Sequence, residues 1–275
     1  MTQITRRPIP STGELLPVVG LGTYRGFDVN DGSNEHSRLA DVLRVLLDAG
    51  GSLIDSSPMY GRAEEVTGAL LQRLSRRSDS FLATKVWTTG RANGIAQMER
   101  SLKLLRTDHV DLMQVHNLVD VRTHLDTLAG WKADGRTRYV GVTHYHSGAY
   151  RELEQVLRRE PLDFVQLNYS IDDRAAEDRL LPLAIDKGIA VIVNVPFGGG
   201  GLLRRLARET LPDFAEEIGC ETWSRLLLKF VLGHPAVTCT IPGTGNPEHM
   251  AENMAPADGD LAEARNRILA WWQGR

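Results

Sequence analysis

The sequence predicts an α/β fold: a single (β/α)8 TIM barrel with an N-terminal β-hairpin and an extra C-terminal helix, with residues 1–275 as one domain. Three observations predict it. Eight short apolar segments recur along 275 residues, linked by stretches of helical periodicity and never by a two-residue hairpin loop, so neighbouring strands run parallel. That length suits a closed barrel, which takes roughly 250 residues. An open doubly wound sheet would carry Gly-x-Gly-x-x-Gly after its first strand, whereas Gly20-Leu21-Gly22 runs into Thr23-Tyr24-Arg25.

Taken in order, Pro8-Ile9 and Leu15-Leu16 flank the turn Pro10-Ser11-Thr12-Gly13 and form the hairpin, and Val18–Thr23 is the first buried strand. Ser37 caps a helix over Arg38–Ala49, whose stripe of Leu39, Val42, Leu43, Leu46 and Leu47 ends at Gly50-Gly51. The alternation then repeats: strand Ser52–Asp55, helix Ala63–Leu74, strand Ser80–Lys85, helix Asn93–Leu105, strand His109–His116 and helix Arg122–Asp134. The second half gives strand Arg138–Thr143, helix Ala149–Arg159, strand Asp163–Asn168, helix Ala176–Lys187 and strand Ile189–Asn194. A helical stretch broken at Pro212 and Gly219 leads to strand Val237–Ile241 and a helix near Pro247–Ala255. Leu261–Trp272 is amphipathic and is expected outside the barrel, with Trp271 and Trp272 as packing residues.

Composition narrows the function. With 32 basic and 35 acidic residues mixed along the chain and a net charge of −3, nothing supports nucleic-acid or membrane-surface binding. The two cysteines, Cys220 and Cys239, suit a reducing compartment and read as core thiols rather than a disulfide or zinc framework. Prolines follow Arg6-Arg7 where a signal peptide needs an apolar run, and no segment reaches the ~18 apolar residues of a membrane span, so a cytoplasmic protein is expected. It is expected as a monomer or weak homo-oligomer.

The chemistry gathers around Leu53-Ile54-Asp55-Ser56-Ser57-Pro58-Met59-Tyr60-Gly61. An acidic side chain at the end of a buried strand requires a partner, and two later strands end in Lys85 and His116. At the C-terminal rim of a parallel barrel these groups converge on one mouth. A phenol is a weak acid, and an ammonium nearby favours its phenolate, so Lys85, held charged by Asp55, is expected to bring the Tyr60 phenol below its usual value. His116 shares the proton work and fixes geometry. There is no nucleophile paired with a base and no carboxylate pair, so the site suits proton delivery to a carbonyl oxygen, with hydride from a cofactor.

At these residues the sequence resembles the aldo-keto reductase superfamily, over nearly the whole chain. Asp55-Ser56-Ser57-Pro58-Met59-Tyr60-Gly61 is similar to that family's first signature, Lys85 in Ala83-Thr84-Lys85-Val86-Trp87 falls on its lysine, and Asp111-Leu112-Met113-Gln114-Val115-His116 carries its histidine. The resemblance implies Tyr60 as general acid, Lys85 and Asp55 tuning it, His116 orienting a small aldehyde or ketone, and NADPH, or alternatively NADH, as hydride donor. It places Gly22, Thr23, Thr143 and Gln166 around the cofactor, with His144 where the family has an amide and Asn194 where it has a stacking ring; Pro196 and Phe197 follow, Phe197 as a substitute ring. Gly198 and Gly199, within Gly198-Gly199-Gly200-Gly201, fall on a pyrophosphate loop, and Thr244, His249, Glu252 and Asn253 on the adenosine segment, with His249 in the place of an arginine. Tyr24, Trp87 and Asn117, with Phe27 beside them, are expected to line an open substrate site.

Two other readings keep the fold. One is a cofactor-binding sensor or regulatory barrel with little turnover. The other is a metal-dependent barrel hydrolase using His116, His144 and His146, imidazoles at a barrel mouth being good zinc ligands.

Overall fold

The computed structural model describes residues 4–30, 34–255 and 260–275. A hairpin of β1 (Arg6–Pro8) and β2 (Leu15–Pro17) precedes eight parallel strands: β3 (Leu21–Gly22), β4 (Leu53–Asp55), β5 (Phe81–Val86), β6 (Val110–His116), β7 (Thr137–His144), β8 (Phe164–Asn168), β9 (Ala190–Asn194) and β10 (Val237–Thr240). Each pairs with its sequence neighbour, and the parallel bridges Val19–Thr240 and Gly22–Gly243 close the ring between first and last. The expected strand Val18–Thr23 shrinks to two residues because that stretch pairs with β10 through isolated bonds, Gly20 N–H to Thr240 O at 2.9 Å and Thr240 N–H to Val18 O at 2.9 Å.

Helices α1 (Asn34–Asp48), α2 (Ala63–Leu74), α3 (Arg91–Leu105), α4 (Val121–Ala133), α5 (Tyr150–Arg159) and α6 (Leu180–Lys187) occupy the first six crossovers. The seventh holds the short α7 (Gly201–Leu206) and α8 (Trp223–Leu232), and α9 (Pro247–Met254) and α10 (Leu261–Gln273) follow β10. The helix α1 begins before Ser37, which therefore lies inside it and caps nothing; Glu35 stands in its first turn instead, where an acid favours the helix dipole. At the other end Asp260 caps α10, its carboxylate accepting from the N–H groups of Ala262 and Glu263 at 3.0 Å each. Trp271 packs against Trp223 and Trp272 against the outer core, as expected of packing residues. No helix among the described residues is long and apolar enough to cross a membrane.

Strand periodicity sorts the side chains. One set, including Ile54, Leu82, Met113, Val142, Val165 and Val193, faces the helices and joins the outer core. The alternate set, Leu53, Phe81, Leu112, Tyr139, Phe164 and Ile192 among them, fills the barrel interior together with Ile9 and Leu16 of the hairpin. The hairpin is thus a plug for the lower end. It is tied there by Arg7, whose guanidinium donates to the carbonyls of His234 at 3.1 Å and Leu232 at 2.6 Å, and by the Tyr139 hydroxyl, which meets Glu14 at 2.6 Å and Thr12 at 2.8 Å. Cys239 is buried in this interior and Cys220 in the outer core, both free thiols pushed up by burial, Cys220 to about 11.

The plug makes a stability prediction. Ile9 is fully buried in the interior cluster, so Ile9→Ala should lower unfolding stability by about 2–5 kcal/mol, read as a fall in the urea midpoint. An unchanged midpoint would show that the hairpin is not part of the barrel core.

Candidate active site

The inward-facing positions change chemistry towards the C-terminal ends of the strands. Below they are apolar; above, Asp55, Lys85, Gln114, His116, Thr143 and Gln166 are all buried polar groups from β4 to β8. Register explains the convergence. Asp55 pairs with Ala83, so Lys85 lies one inward position higher on β5, and Lys85 pairs with Gln114, leaving His116 one inward position higher on β6.

Lys85 and Asp55 form the centre. The ammonium reaches both carboxylate oxygens at 2.7 Å and the Ser56 carbonyl at 2.7 Å, so three acceptors answer its three N–H bonds. Burial pushes the Asp55 carboxyl up and the Lys85 ammonium down, and their mutual contact opposes both shifts. The amides of Gln166 and Gln114 complete the floor: Gln166 donates to Asp55 at 3.3 Å, and Gln114 donates to Gln166 at 2.8 Å. Gln166 is therefore committed to this floor.

Tyr60 stands above it. The Lys85 nitrogen lies 5.1 Å from the centre of its ring, the Tyr24 ring 5.0 Å away and the His116 ring 6.0 Å away, edge-on. The expected lowering of the phenol does not occur. Burial first, then the Asp55 carboxylate and Tyr24, push Tyr60 above its ordinary value, and Lys85 gives its N–H bonds to Asp55 and Ser56 rather than to the phenol. His116 is buried too, and burial together with Lys85 and His144 lowers it to about 2, so the imidazole is neutral at physiological pH. Its Nδ1 lies 3.0 Å from the Ser57 hydroxyl, which also accepts from the Met59 N–H at 3.3 Å. When the Ser57 hydroxyl donates to Nδ1, the proton of the neutral ring is on Nε2.

The residues expected around a cofactor divide into groups. Thr143 is buried beside His116 and Gln166, with which it is in register. Gly22 is buried at the seam, where a Cβ would lie 2.9 Å from the Ile241 carbonyl, and the Thr23 hydroxyl donates to the Asp55 carbonyl at 3.0 Å, bracing the floor. Asn194 ends β9 and Asn117 follows β6, each with its side-chain oxygen buried and without a hydrogen-bond partner among the described residues. Pro196 is buried, and Phe197 is half-buried and packs against the outer core. Gly198 and Gly199 both adopt positive φ, the backbone form in which successive N–H groups can approach an anion. Thr244, Asn246 and Pro247 open α9: Thr244 Oγ1 accepts from the Asn246 N–H at 3.0 Å, and Asn246 caps Glu248 at 2.9 Å. His249 is exposed on α9, Asn253 is buried, and Glu252 accepts from Ser224 Oγ at 3.0 Å.

At the rim, Tyr24 and Trp87 are exposed. Phe27 is not with them: it is fully buried in the outer core, where an aromatic ring gains most by leaving water. The three histidines do not form a ligand set. His144 Nδ1 accepts from the His146 N–H at 3.1 Å, His146 Nδ1 accepts from the Gly148 N–H at 3.0 Å, and no cluster of three metal-ligating side chains exists among the described residues. Sequence reasoning missed Ser57 and Gln114. Gln114 could have been found, since it lies two residues before His116 and so on the same strand face.

A sequence model of the aldo/keto reductase family matches residues 18–266. The chain belongs to that family. Among curated relatives, the methylglyoxal reductase YeaE of Escherichia coli is 30% identical over 264 residues, covering 92% of this chain and 90% of that protein. The aldo-keto reductase YhdN of Bacillus subtilis is 28% identical over 216 residues, covering 73% of this chain and 64% of its own length, and an NADH-specific methylglyoxal reductase of Escherichia coli is 25% identical, covering 95% and 96%. Among solved structures, an aldo/keto reductase from Klebsiella pneumoniae in complex with NADP and acetate superposes with a TM-score of 0.78 at 27% identity, over 94% of this chain and 93% of that one. The thermostable aldo-keto reductase Tm1743, in complex with the inhibitor epalrestat, gives 0.80 at 28%, over 97% and 99%. The chain is accordingly an NAD(P)H-dependent oxidoreductase of this family.

The buried pair predicts the behaviour of its variants. Lys85→Met leaves Asp55 charged, buried and unanswered, and should cost about 3–5 kcal/mol of stability. Adding Asp55→Asn should return most of that stability, measured by chemical denaturation, without returning turnover. Equal stability of the single and double variants would show that the two groups are not coupled.

Proposed function

We propose that the protein reduces a small aldehyde or ketone to the alcohol, with Tyr60 as proton donor. The observation that carries this reading is the Tyr60 ring at the barrel mouth between neutral His116 and the Lys85–Asp55 pair. Because burial and Asp55 hold the phenol up, Tyr60 is protonated at physiological pH and has a proton to give. As a carbonyl oxygen takes that proton, negative charge develops on the phenol oxygen, and the Lys85 ammonium beneath the ring favours it. His116, neutral and oriented by Ser57, offers the Nε2 proton to the same carbonyl oxygen and fixes its direction. Asp55 keeps Lys85 charged despite burial, and Gln166, Gln114 and Thr23 keep Asp55 in place.

A bound dihydronicotinamide supplies the hydride. The residues present fit such a cofactor. The partnerless oxygens of Asn194 and Asn117 suit a carboxamide N–H, the Gly198–Gly199 backbone suits a pyrophosphate, and Thr244 with the start of α9 suits the adenosine end. His249 offers that end an imidazole instead of a guanidinium fork, so discrimination in favour of a 2′-phosphate is weaker than an arginine would give. The exposed Tyr24 and Trp87 leave the substrate side open and aromatic.

Tyr60→Phe should abolish reduction of 4-nitrobenzaldehyde while NADPH, titrated by quenching of tryptophan fluorescence, binds nearly as before; undiminished turnover would remove Tyr60 from the mechanism. In titrations with both nicotinamides, His249→Arg should shift the affinity ratio towards NADPH by about tenfold, the scale of one added charge-assisted contact. A ratio that stays put would mean that the adenosine phosphate binds elsewhere.

A further inference from the structure

Tyr60 lies on a turn closed by its own backbone, the Tyr60 N–H donating to the Ser57 carbonyl at 3.0 Å and the Ala63 N–H to the Tyr60 carbonyl at 3.1 Å, and its exit into the next helix is held from outside. Helix α2 follows immediately, and Arg62 in its N-cap position makes no capping bond with its side chain. The cap comes from another loop: Asp28, between β3 and α1, accepts the Arg62 N–H on Oδ1 at 2.9 Å. Gly61 lies directly against that carboxylate with φ of +59°, and a Cβ there would run into it. The body of α2 is fastened separately, buried Glu64 accepting from Thr84 Oγ1 of β5 at 2.5 Å. Asp28 therefore ties the exit of the Tyr60 turn, at the Arg62 N–H, to the loop after β3.

The segment carrying Asp28 touches the rest of the site. Thr23 N–H donates to the Asp55 carbonyl at 3.0 Å, the Tyr24 ring lies 5.0 Å from Tyr60, and a Cβ on Gly26 would lie 3.4 Å from Thr244 and from the Gly245 nitrogen. Phe27, fully buried and bonded through its N–H to the Thr23 carbonyl at 3.1 Å, anchors the segment. One stretch of six residues thus connects the loop that opens α9 with the turn that carries the phenol.

We infer that Asp28 is a positioning residue for the proton donor, its carboxylate oxygen fixing the Tyr60 turn through the Arg62 N–H. The inference rests on Tyr60 being the acid. A misplacement of about 1 Å can cost about 100-fold in rate, so Asp28→Ala should lower kcat for 4-nitrobenzaldehyde by about 10- to 100-fold at saturating NADPH. Its NADPH dissociation constant, from tryptophan fluorescence, should stay within about twofold, since no cofactor contact is removed. Asp28→Asn keeps an acceptor oxygen and should recover most of the lost kcat, which controls for a general loss of fold; both variants are assayed well below their melting temperatures. A kcat for Asp28→Ala within about twofold of the parent, alongside an inactive Tyr60→Phe, would overturn the inference and leave the proposed function standing. An asparagine variant as impaired as alanine, or a loss of NADPH affinity matching the loss of kcat, would also overturn it. Full turnover by Tyr60→Phe would remove the proposed function and this inference together.

Discussion

The site depends on a buried ion pair. Asp55 and Lys85 are both removed from water, and either alone would be costly, so each requires the other. The barrel makes the pairing unavoidable: β4 and β5 are adjacent and parallel, and their register places an aspartate and a lysine one inward step apart. Once paired, the two groups determine the character of everything above them. The ammonium has no N–H left for the phenol and acts on it only as a charge beneath the ring, while the carboxylate, together with burial, keeps the phenol protonated. The same ammonium helps keep His116 neutral. The proposed donor, orienting group and counter-charge are thus related by electrostatics rather than by direct hydrogen bonds among them.

Much of this was legible in the sequence, because strand ends announce themselves. Asp55, Lys85 and His116 each close an apolar run, and strand ends in a parallel barrel converge on one rim. The barrel follows from repetition, and its interior from the same period. Where the reading failed, the deciding contact was long-range. Ser37 has a capping side chain, but periodicity cannot tell a cap from a position one turn inside a helix, and α1 starts earlier. Phe27 and Phe197 look like rim aromatics by their distance from Tyr24 and Asn194, yet both turn into the packing behind their loops. The acidity of Tyr60 could not be read from the neighbouring lysine alone, since burial is its largest determinant and depends on the packing around the ring. Asp28 carried no local signal at all, because its partner is the main chain of Arg62.

The hairpin has a consequence for how the chain reaches this state. The Arg7 side chain is bonded to carbonyls at positions 232 and 234, and Val18 to Thr240, so these residues dock against partners synthesised much later. Loop closure over such separations is entropically expensive, and folds dominated by distant contacts form slowly. Until β10 has emerged, the backbone of Val18 and Gly20 has no strand to pair with, and the seam of the barrel is open. Vectorial synthesis can therefore assemble the middle strands over the hairpin plug early, while the seam of the cylinder closes only once β10 is in place.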